Sequence, residues 1–372
     1  MREDRTPRLA VSLFSGAGGM DIGFARAGFQ SVIACELDPG ACETFNQNLH
    51  LTGHRGNAIT PTSVTEVDLS KVPRDLDIVY GGPPCQGFSV AGKMDPNDER
   101  SEMIHAFFDI VEATKPRAFV CENVKALAIS ERWEGVRKAL FNRTKREYSV
   151  ALIVLGAADF GVSQKRERMF LIGIRRDLFD AGTDALMKHI EGHLEAHRAT
   201  PETIADIIRD LGPAGTTKNP LTCTAKVAFA KAPILRRSPY AGMLFNGAGR
   251  PIPSGGYSST LPASMGGNKT PIVDEGEILK GLPSLIEEYH KSLMTGGKAK
   301  PGEAPKRLRR LTIKECMRIQ TFPDEYRFAG RKSAVYRQIG NAVPCRLAEV
   351  VARTVDDILN TAEAMKDSKA VA

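Results

Sequence analysis

Residues 9–28 read LAVSLFSGAGGMDIGFARAG, and this stretch decides the fold. Its apolar opening, Leu9–Phe14, predicts a short buried strand. Three glycines follow between positions 16 and 19, and a helical pattern then runs over Met20–Gly28. A strand, a glycine turn and a helix in this order predict the first unit of an α/β sheet with a ligand at the turn.

Strands and helices continue to alternate downstream of this unit. Apolar runs predict strands at 31–35, 78–80, 118–121, 148–155 and 169–174, and helical patterns between them include 102–114 and 133–141. This alternation is typical of a parallel, doubly wound sheet, so we expect an α/β fold of the Rossmann-like class.

The regular alternation ends after about residue 177. Residues 211–270 are rich in glycine, proline and serine and show turn signals instead of periodicity. We therefore expect a catalytic and cofactor-binding domain over 1–177 and a second, smaller and irregular domain over 178–325. A carboxyl-terminal segment, 326–372, should return to the first domain.

Composition narrows the class of protein. The formal net charge is +7, which favours a polyanionic partner through counterion release. The apolar runs are far shorter than the roughly 20 residues that cross a bilayer, and the amino terminus is charged, so we expect a cytoplasmic protein without a membrane segment. Seven cysteines without a CxxC pair predict neither a disulfide framework nor a zinc site.

Three histidines could be mistaken for metal ligands. His189, His193 and His197 recur every four residues on a predicted helix, but no cysteine pair lies nearby to complete a site. We expect an exposed polar helix face and no metal.

The glycine turn and Glu36 form the candidate cofactor site. Glu36 ends the second predicted strand, where an acidic residue can hydrogen-bond a ribose. The turn lacks the GxGxxG spacing that seats a pyrophosphate on a helix amino terminus, which favours a nucleoside without phosphates. Two alternatives stay open on these residues alone: glycines that serve only a tight turn, and a nicotinamide site.

Cys85 is the candidate nucleophile. It stands in the loop GGPPCQGFS, residues 81–89, directly after the predicted strand 78–80. Two glycines and two prolines fix such a loop and expose its cysteine, whereas structural cysteines have apolar surroundings. A thiol with an ordinary pKa of about 8.5 needs a nearby cation or donor to react as the thiolate.

Two downstream segments carry candidate partners for this thiol. Glu122 follows the apolar run 118–121, at the carboxyl end of a strand, where parallel sheets build their sites. In QKRER, residues 164–168, an extended backbone would place Gln164, Arg166 and Arg168 on one face. A helix-capping glutamate and a solvated basic edge are the respective alternatives.

Taken in order, seven segments resemble the bacterial DNA (cytosine-5-)-methyltransferase family. They are FSGAGG at 14–19, CELD at 35–38, PPCQGFS at 83–89, ENV at 122–124, QKRER at 164–168, RRLTIKECMRIQTFP at 309–323 and YRQIGNAVP at 336–344. The resemblance spans nearly the whole chain. It implies methyl transfer from S-adenosylmethionine to carbon 5 of a flipped-out cytosine within a short DNA sequence.

The resemblance also implies residue roles. Cys85 would be the nucleophile, Glu122 would hold the cytosine N3 and amine, and Arg166 and Arg168 would organise Glu122 and the base. S-adenosylmethionine, released as S-adenosylhomocysteine, would contact Phe14, Gly16, Gly18, Gly19, Glu36, Leu37, Ser63, Val64, Pro84, Met103 and Asn341. The candidate DNA contacts are Gln86, Ser89, Thr260, Gly266, Gly267, Asn268, Lys269 and Arg309, and a plain glycine loop is the alternative for residues 266–269.

The same resemblance implies the partners. Residues 178–325 would be a target recognition domain for double-stranded DNA, and the protein would act as a monomer. It would belong to a restriction-modification system with a cognate restriction endonuclease, or act as an orphan methylase.

The chain departs from the family pattern at two places. Ser63 stands where the family usually has an aspartate for the adenine amine, and residues 90–92, VAG, replace a second serine after the PCQ loop. Both contacts are therefore in doubt.

Two other functions compete with this interpretation. A transfer-RNA methyltransferase of the same fold is disfavoured because residues 124–129, VKALAI, lack that family's Cys-Phe-Thr signature. A silent DNA-binding regulator is disfavoured because Cys85, Glu122 and Arg168 are all intact.

Overall fold

A computed structural model describes residues 6–84 and 102–371, with side chains up to residue 366. The chain divides into two compact units. Unit 1 comprises residues up to 160, 167–198 and 343 onward, and unit 2 comprises 161–166 and 199–342.

Unit 1 is built on a six-stranded sheet. Its strands are β1 (Arg8–Leu13), β2 (Phe29–Cys35), β3 (Ile78–Gly81), β4 (Ala118–Val124), β5 (Tyr148–Gly156) and β7 (Glu167–Arg175). Its helices are α1 (Gly19–Arg26), α2 (Pro39–Gln47), α3 (Leu49–Thr52), α4 (Glu102–Thr114), α5 (Lys125–Ile129), α6 (Glu134–Thr144), α7 (Gly182–Ala196) and α13 (Cys345–Val371). The expected α/β class is confirmed.

The strand order is β2-β1-β3-β4-β7-β5, and it corrects one expectation. The first four strands are parallel, but β7 runs antiparallel to both β4 and β5. The chain between β5 and β7 has no crossover helix, and a parallel return requires about a dozen residues or more, usually with such a helix. The wholly parallel sheet that we predicted is therefore wrong, and the sheet is mixed.

The two faces of this sheet are covered by different helices. On one face, α4, α5 and α6 contribute Phe107, Leu127 and Leu140 to an aromatic-rich core that includes Val79 of β3. Tyr80, the next residue of β3, points to the opposite face, where it stacks on Phe24 of α1 with ring centroids 3.9 Å apart. On that face α1 and α7 both pack against α13.

Unit 2 has little regular structure, as the dense turn signals predicted. Its strands are β6 (Gln164–Lys165), β8 (Ala228–Ile234), β9 (Met243–Phe245), β10 (Ser258–Ser259), β11 (Ile272–Asp274), β12 (Gly302–Glu303) and β13 (Leu308–Arg310). Its helices are α8 (Ile204–Ile208), α9 (Glu275–Lys280), α10 (Leu285–Met294), α11 (Ile313–Ile319) and α12 (Lys332–Asn341). A separate apolar core contains Leu244, Ile272, Ile286 and Leu308.

The compact units differ from the predicted segments at three places. Residues 161–166, which we predicted in the first domain, belong to unit 2. Residues 178–198 belong to unit 1, because α7 packs against β5 and α13. Residues 326–342 belong to unit 2, because α12 packs against α11. No helix in the described part of the chain combines the length and the apolar character that a membrane crossing requires.

The packing of α1 on α13 predicts the effect of a single methyl group. A Cβ at Gly23 would lie 2.5 Å from the Glu349 backbone nitrogen and 2.6 Å from the Cys345 carbonyl oxygen. Because backbone cannot move as a side chain can, Gly23→Ala should lower the free energy of unfolding by about 1–3 kcal/mol, measured by urea denaturation. Gly192→Ala is the matched control, since its Cβ meets nothing within 4 Å, and it should leave stability unchanged or higher.

Candidate active site

The carboxylate of Glu36 is fixed by three backbone amides at the ends of β1 and β2. Its Oε1 accepts from the amides of Leu37 and Asp38 at 2.9 and 2.7 Å, and its Oε2 accepts from the amide of Gly16 at 2.8 Å. The glycine turn and the acidic residue therefore form one structure, as the sequence predicted. A carboxylate has about four acceptor positions, so one on Oε2 stays available for a ribose hydroxyl.

The backbone of the turn adopts left-handed conformations. Gly16 and Gly18 have φ values of 56° and 72°, which glycine accepts without strain. Phe14 has φ 55°, which is rare for a bulky residue and costs on the order of 1–3 kcal/mol. Such strain persists only where surrounding contacts impose it, and it commonly marks a ligand site.

The surroundings of Glu36 fit a nucleoside. Leu37 is 65% exposed although it is a large apolar residue, so it offers a surface on which a flat purine can lie. The segment around Thr62 lies close to the end of β2. The Thr62 amide donates to the Glu36 carbonyl at 2.8 Å, and the Cys35 thiol donates to the Thr62 carbonyl at 3.2 Å. Val64 is buried in the core, and Met103 packs against that core.

Ser63 has a local role in the structure. It begins a short 3-10 helix, where its hydroxyl lies 2.8 Å from the Thr65 hydroxyl and its amide donates to Glu66. This geometry explains a serine at that position without any ligand.

The segment before Cys85 is held tightly. A Cβ at Gly81 would lie 2.2 Å from the Leu13 carbonyl oxygen, so only glycine lets β3 pass the end of β1 here. The Asn123 side chain donates to the Pro83 carbonyl at 3.2 Å. Pro84 is half-buried at the end of this segment. Cys85, Gln86 and Ser89 lie outside the described residues.

Glu122 and Arg168 form an ion pair. The Nε of Arg168 lies 2.9 Å from Oε1 of Glu122, and the two side chains are 16% and 12% exposed. The antiparallel register of β4 and β7, in which Val124 faces Arg168, brings these side chains together. A Cβ at Gly82 would lie 2.8 Å from Oε2 of Glu122, so the glycine leaves room for the carboxylate beside the segment that leads to Cys85.

Arg166 has different partners from Arg168. It lies in unit 2, is 1% exposed, and donates to the carbonyls of Leu261 and Gly340 at 3.4 and 3.0 Å and of Asn341 at 3.3 Å. Burial alternates along residues 164–168: Gln164, Arg166 and Arg168 are protected and residues 165 and 167 are exposed, as expected for one face of an extended segment.

Gln164 completes a buried polar network in unit 2. Its side chain accepts from the Leu261 amide at 2.9 Å and donates to Gln320 at 2.8 Å. Gln320 in turn donates to the carbonyls of Ile339 and Ala342. The network joins three of the recognised motifs, at 164–168, 309–323 and 336–344, to Leu261.

Five of the predicted DNA contacts, Thr260 and residues 266–269, lie in one short stretch of unit 2. The Thr260 hydroxyl donates to the Lys165 carbonyl, and the Gly266 amide donates to the Thr270 hydroxyl. Gly267 is half-buried, whereas the side chains of Asn268 and Lys269 are exposed in this stretch. These two side chains are therefore available to a partner.

Arg309, which we predicted to contact DNA, is paired with two carboxylates in the structure. Its guanidinium contacts Glu275 and donates to both oxygens of Glu315 at 2.7 and 2.9 Å, and its side chain is only 12% exposed. A guanidinium held by two carboxylates within unit 2 has little capacity for a phosphate, so the geometry favours a structural role over the expected DNA contact.

Sequence analysis missed three contributors to these sites. Asn123 holds the segment before Cys85, Gln320 connects the buried network, and Asp21 lies fully buried beneath the glycine turn. Asn123 and Gln320 stand inside recognised motifs, so their position was a usable signal. Asp21 was also recognisable from the sequence, because a charged residue on the apolar side of a short predicted helix is unusual.

The three histidines are half-buried in the structure, so the exposed helix face that we expected is wrong. The rings of His189 and His193 are 5.0 Å apart, and His193 lies 3.4 Å from Asp357 of α13. Burial lowers the pKa of His189 and of His197. Among the described residues, no group of three or more acidic, histidine or cysteine side chains could hold a metal ion.

Comparisons with known proteins show the family of the chain. Residues 9–357 match the family described as C-5 cytosine-specific DNA methylase. The chain is 30% identical to the type II methyltransferase M1.HphI of Haemophilus parahaemolyticus, covering 93% of this chain and 86% of that protein. It is also 30% identical to the type II methyltransferase M.FnuDI of Fusobacterium nucleatum, covering 96% of each.

A solved structure has the same fold. The crystal structure of the Dnmt2 methyltransferase of S. pombe superposes with a TM-score of 0.62 at 16% sequence identity, covering 95% of this chain and 99% of that one. At this identity the likeness is one of fold.

The buried network of unit 2 predicts that Arg166 cannot be replaced by lysine. The three N–H donors of a lysine ammonium diverge from one nitrogen and cannot match contacts made by two guanidinium nitrogens, so Arg166→Lys should lower the free energy of unfolding by about 2–4 kcal/mol. Urea denaturation measures this loss. Lys165→Arg changes the exposed neighbouring residue and should be neutral; equal losses in the two variants would contradict the assigned role.

Proposed function

Because the chain belongs to the C-5 cytosine-specific DNA methylase family, we propose that it methylates DNA cytosine through a covalent adduct with Cys85, using S-adenosylmethionine as donor. The observation that carries the proposal is the Glu122–Arg168 pair, which lies at the carboxyl end of β4 beside the segment leading to Cys85.

Ring activation is the chemical task of these residues. Carbon 5 of cytosine is a poor nucleophile until a thiolate adds to carbon 6. The Cys85 sulfur forms a bond to carbon 6, and the electron pair of the 5,6 double bond moves into the ring, where charge develops towards N3. Glu122, as a carboxylic acid or by sharing a proton with N3, donates a hydrogen bond to N3 and stabilises that charge.

The later steps restore the ring. When bound, S-adenosylmethionine would supply the methyl group to carbon 5 and would leave as neutral S-adenosylhomocysteine. The carbon-5 proton then passes to a water molecule as base, and the carbon–sulfur bond breaks to regenerate the 5,6 double bond and the Cys85 thiolate. Arg168 holds Glu122 in place throughout by its 2.9 Å contact. Arg166 is a positioning residue that fixes unit 2 through its three carbonyl contacts.

The donor fits the glycine turn. We assign its ribose to Glu36 and its adenine to the exposed face of Leu37, with Phe14, Gly16, Gly18 and Gly19 around them. Val64, Pro84, Met103 and Asn341 are proposed as further contacts. The local capping role of Ser63 makes it the weakest member of this set.

Charge supports unit 2 as the DNA-binding part. Unit 2 contains 24 lysines and arginines against 12 aspartates and glutamates, a formal charge of +12, whereas unit 1 contains 27 against 32, a formal charge of −5. The whole basic excess of the chain therefore belongs to unit 2, and such an excess favours a polyanion.

A cytosine within a duplex must leave the base stack before Cys85 can reach it, at a cost of a few kcal/mol. We propose that Thr260, Gly266, Gly267, Asn268 and Lys269 contact the target DNA, with Gln86 and Ser89 beside the flipped base. The relatives are type II methyltransferases, so we propose a cognate restriction endonuclease as functional partner and a monomer as the acting form.

The covalent mechanism predicts a trapped adduct. Wild-type protein incubated with methyl-labelled S-adenosylmethionine and unmethylated genomic DNA should label cytosines within one short sequence, mapped by bisulfite sequencing. On DNA containing 5-fluorocytosine, fluorine cannot leave as the proton does, so a stable protein–DNA adduct should accumulate.

Cys85→Ala should lose both the transfer and the adduct while still binding the donor. Transfer by that variant at more than a few per cent of the wild-type rate contradicts the covalent mechanism. Label on transfer RNA alone would reassign the substrate.

Glu122→Gln separates catalysis from binding. The amide keeps the shape and still accepts from Arg168, but it cannot carry the charge or share a proton at N3. We expect the methyl-transfer rate to fall by about 100-fold or more while the Kd for DNA changes less than about threefold. Glu167→Gln removes an exposed acid on β7 and serves as the control. A normal rate with lost DNA affinity would exclude the assigned role.

A further inference from the structure

Asp21 is a fully buried acid in the first turn of α1, directly behind the glycine turn. It is 0% exposed, and its Oδ1 accepts from the Tyr80 hydroxyl at 3.0 Å. Its other oxygen, Oδ2, has no hydrogen-bond partner among the described residues. A buried carboxylate with one unpartnered oxygen lowers the free energy of unfolding, so stability does not account for Asp21 at this position.

The Asp21–Tyr80 pair connects the two halves of the proposed site. Tyr80 is followed by Gly81 and the segment that leads to Cys85, while Asp21 follows the turn 16–19. The neighbouring hydroxyls of Ser12 and Ser15, 2.8 Å apart, extend the polar cluster from β1 into that turn. The stacking of Phe24 on Tyr80 fixes the phenol ring.

The position of Asp21 in the first turn of α1 indicates an electrostatic role. The amino-terminal end of α1 carries a partial positive charge that faces the turn, which suits a phosphate but disfavours a cation. The sulfonium of S-adenosylmethionine is a cation. A buried carboxylate in the first turn of that helix offsets the unfavourable field, and its effect is large because water does not screen it.

We propose that Asp21 is an electrostatic positioning residue, held by Tyr80, whose negative charge enables the glycine turn to accept a cationic methyl donor. The inference rests on the proposed function, because it takes S-adenosylmethionine as the ligand of this turn.

The ionisation of Asp21 falls in an accessible pH range. Burial raises its pKa to about 6, while the nearby Ser12 hydroxyl and the hydrogen bond from Tyr80 lower it in part and the charge of Glu36 raises it. The titratable groups that face it in the described structure are Tyr80 on β3, Glu36 after β2 and Cys345 on α13. Burial raises the pKa of Tyr80 and of Cys345, so neither of them ionises near pH 6.

The sign of the expected effect follows from linkage. Above about pH 6 Asp21 is charged and favours a cation; below that pH it is neutral and does not. The affinity for S-adenosylmethionine should therefore rise about fivefold or more between pH 5 and pH 7.5. S-adenosylhomocysteine has a neutral sulfur, so its affinity should rise less over the same range.

Three variants of the full chain test this by isothermal titration calorimetry with both ligands. Asp21→Asn should lack the pH-dependent step for S-adenosylmethionine. Tyr80→Phe removes a donor that favours the charged carboxylate, so the midpoint of the step should move to higher pH. The control is Asp77→Asn. Asp77 is another buried acid, which accepts from the Leu9 amide and from Arg117 near the starts of β1 and β3, at the ends of these strands away from the glycine turn. This variant should keep the wild-type step, whatever its effect on stability.

The outcomes distinguish an error in the proposed cofactor from an error in the proposed role of Asp21. If wild-type protein binds neither ligand, the proposed cofactor is wrong. If it binds both but Asp21→Asn retains the wild-type step, or both ligands show equal steps, the electrostatic role of Asp21 is overturned. Should Asp21→Asn not fold, an unchanged midpoint in Tyr80→Phe overturns it equally.

Discussion

The antiparallel pairing of β4 with β7 is the constraint on which the proposed chemistry depends. In this register Val124 faces Arg168, and the Arg168 side chain reaches Glu122 at 2.9 Å. A slip of one residue would turn every side chain of β7 to the other face of the sheet and leave the carboxylate without this guanidinium. Because the pairing is central in the sheet and buried, such a slip is strongly disfavoured.

Close backbone approach then links this pair to the two ends of the site. Gly81 passes within contact of the Leu13 carbonyl, and Gly82 leaves room for the Glu122 carboxylate. Asn123 donates to Pro83 from the residue next to the acid. The acid, the segment before Cys85 and the glycine turn therefore share one rigid frame in unit 1, which matters because a displacement of about 1 Å can cost a reaction 100-fold.

Sequence reasoning succeeded where a local pattern has a single physical meaning. The helix 102–114 was predicted with the bounds that the structure has, and the strand ends were displaced by only a few residues. The contact between the glycine turn and Glu36 followed from the order of the elements. The direction of β7 was missed, because an apolar run carries no information about parallel or antiparallel pairing.

Other failures came from partners that are distant in the chain. Arg309 looked like part of a basic run, but it contacts Glu275, which lies on α9 and is 34 residues away in the chain. Arg166 and Arg168 looked equivalent in QKRER, although one serves unit 2 and the other pairs with Glu122. Charge patterns along a sequence identify candidates, whereas the partner of each charge depends on tertiary packing.

The same reasoning connects the glycine turn to the choice of ligand. A turn that seats a pyrophosphate uses the positive field of the following helix, and an acid in the first turn would oppose it. Here the first turn of α1 contains Asp21, buried at a cost to folding. A cationic donor reverses the sign of the requirement, since the field must then be offset. With the proposed donor at this turn, the absence of GxGxxG spacing and the presence of Asp21 would both meet one electrostatic demand.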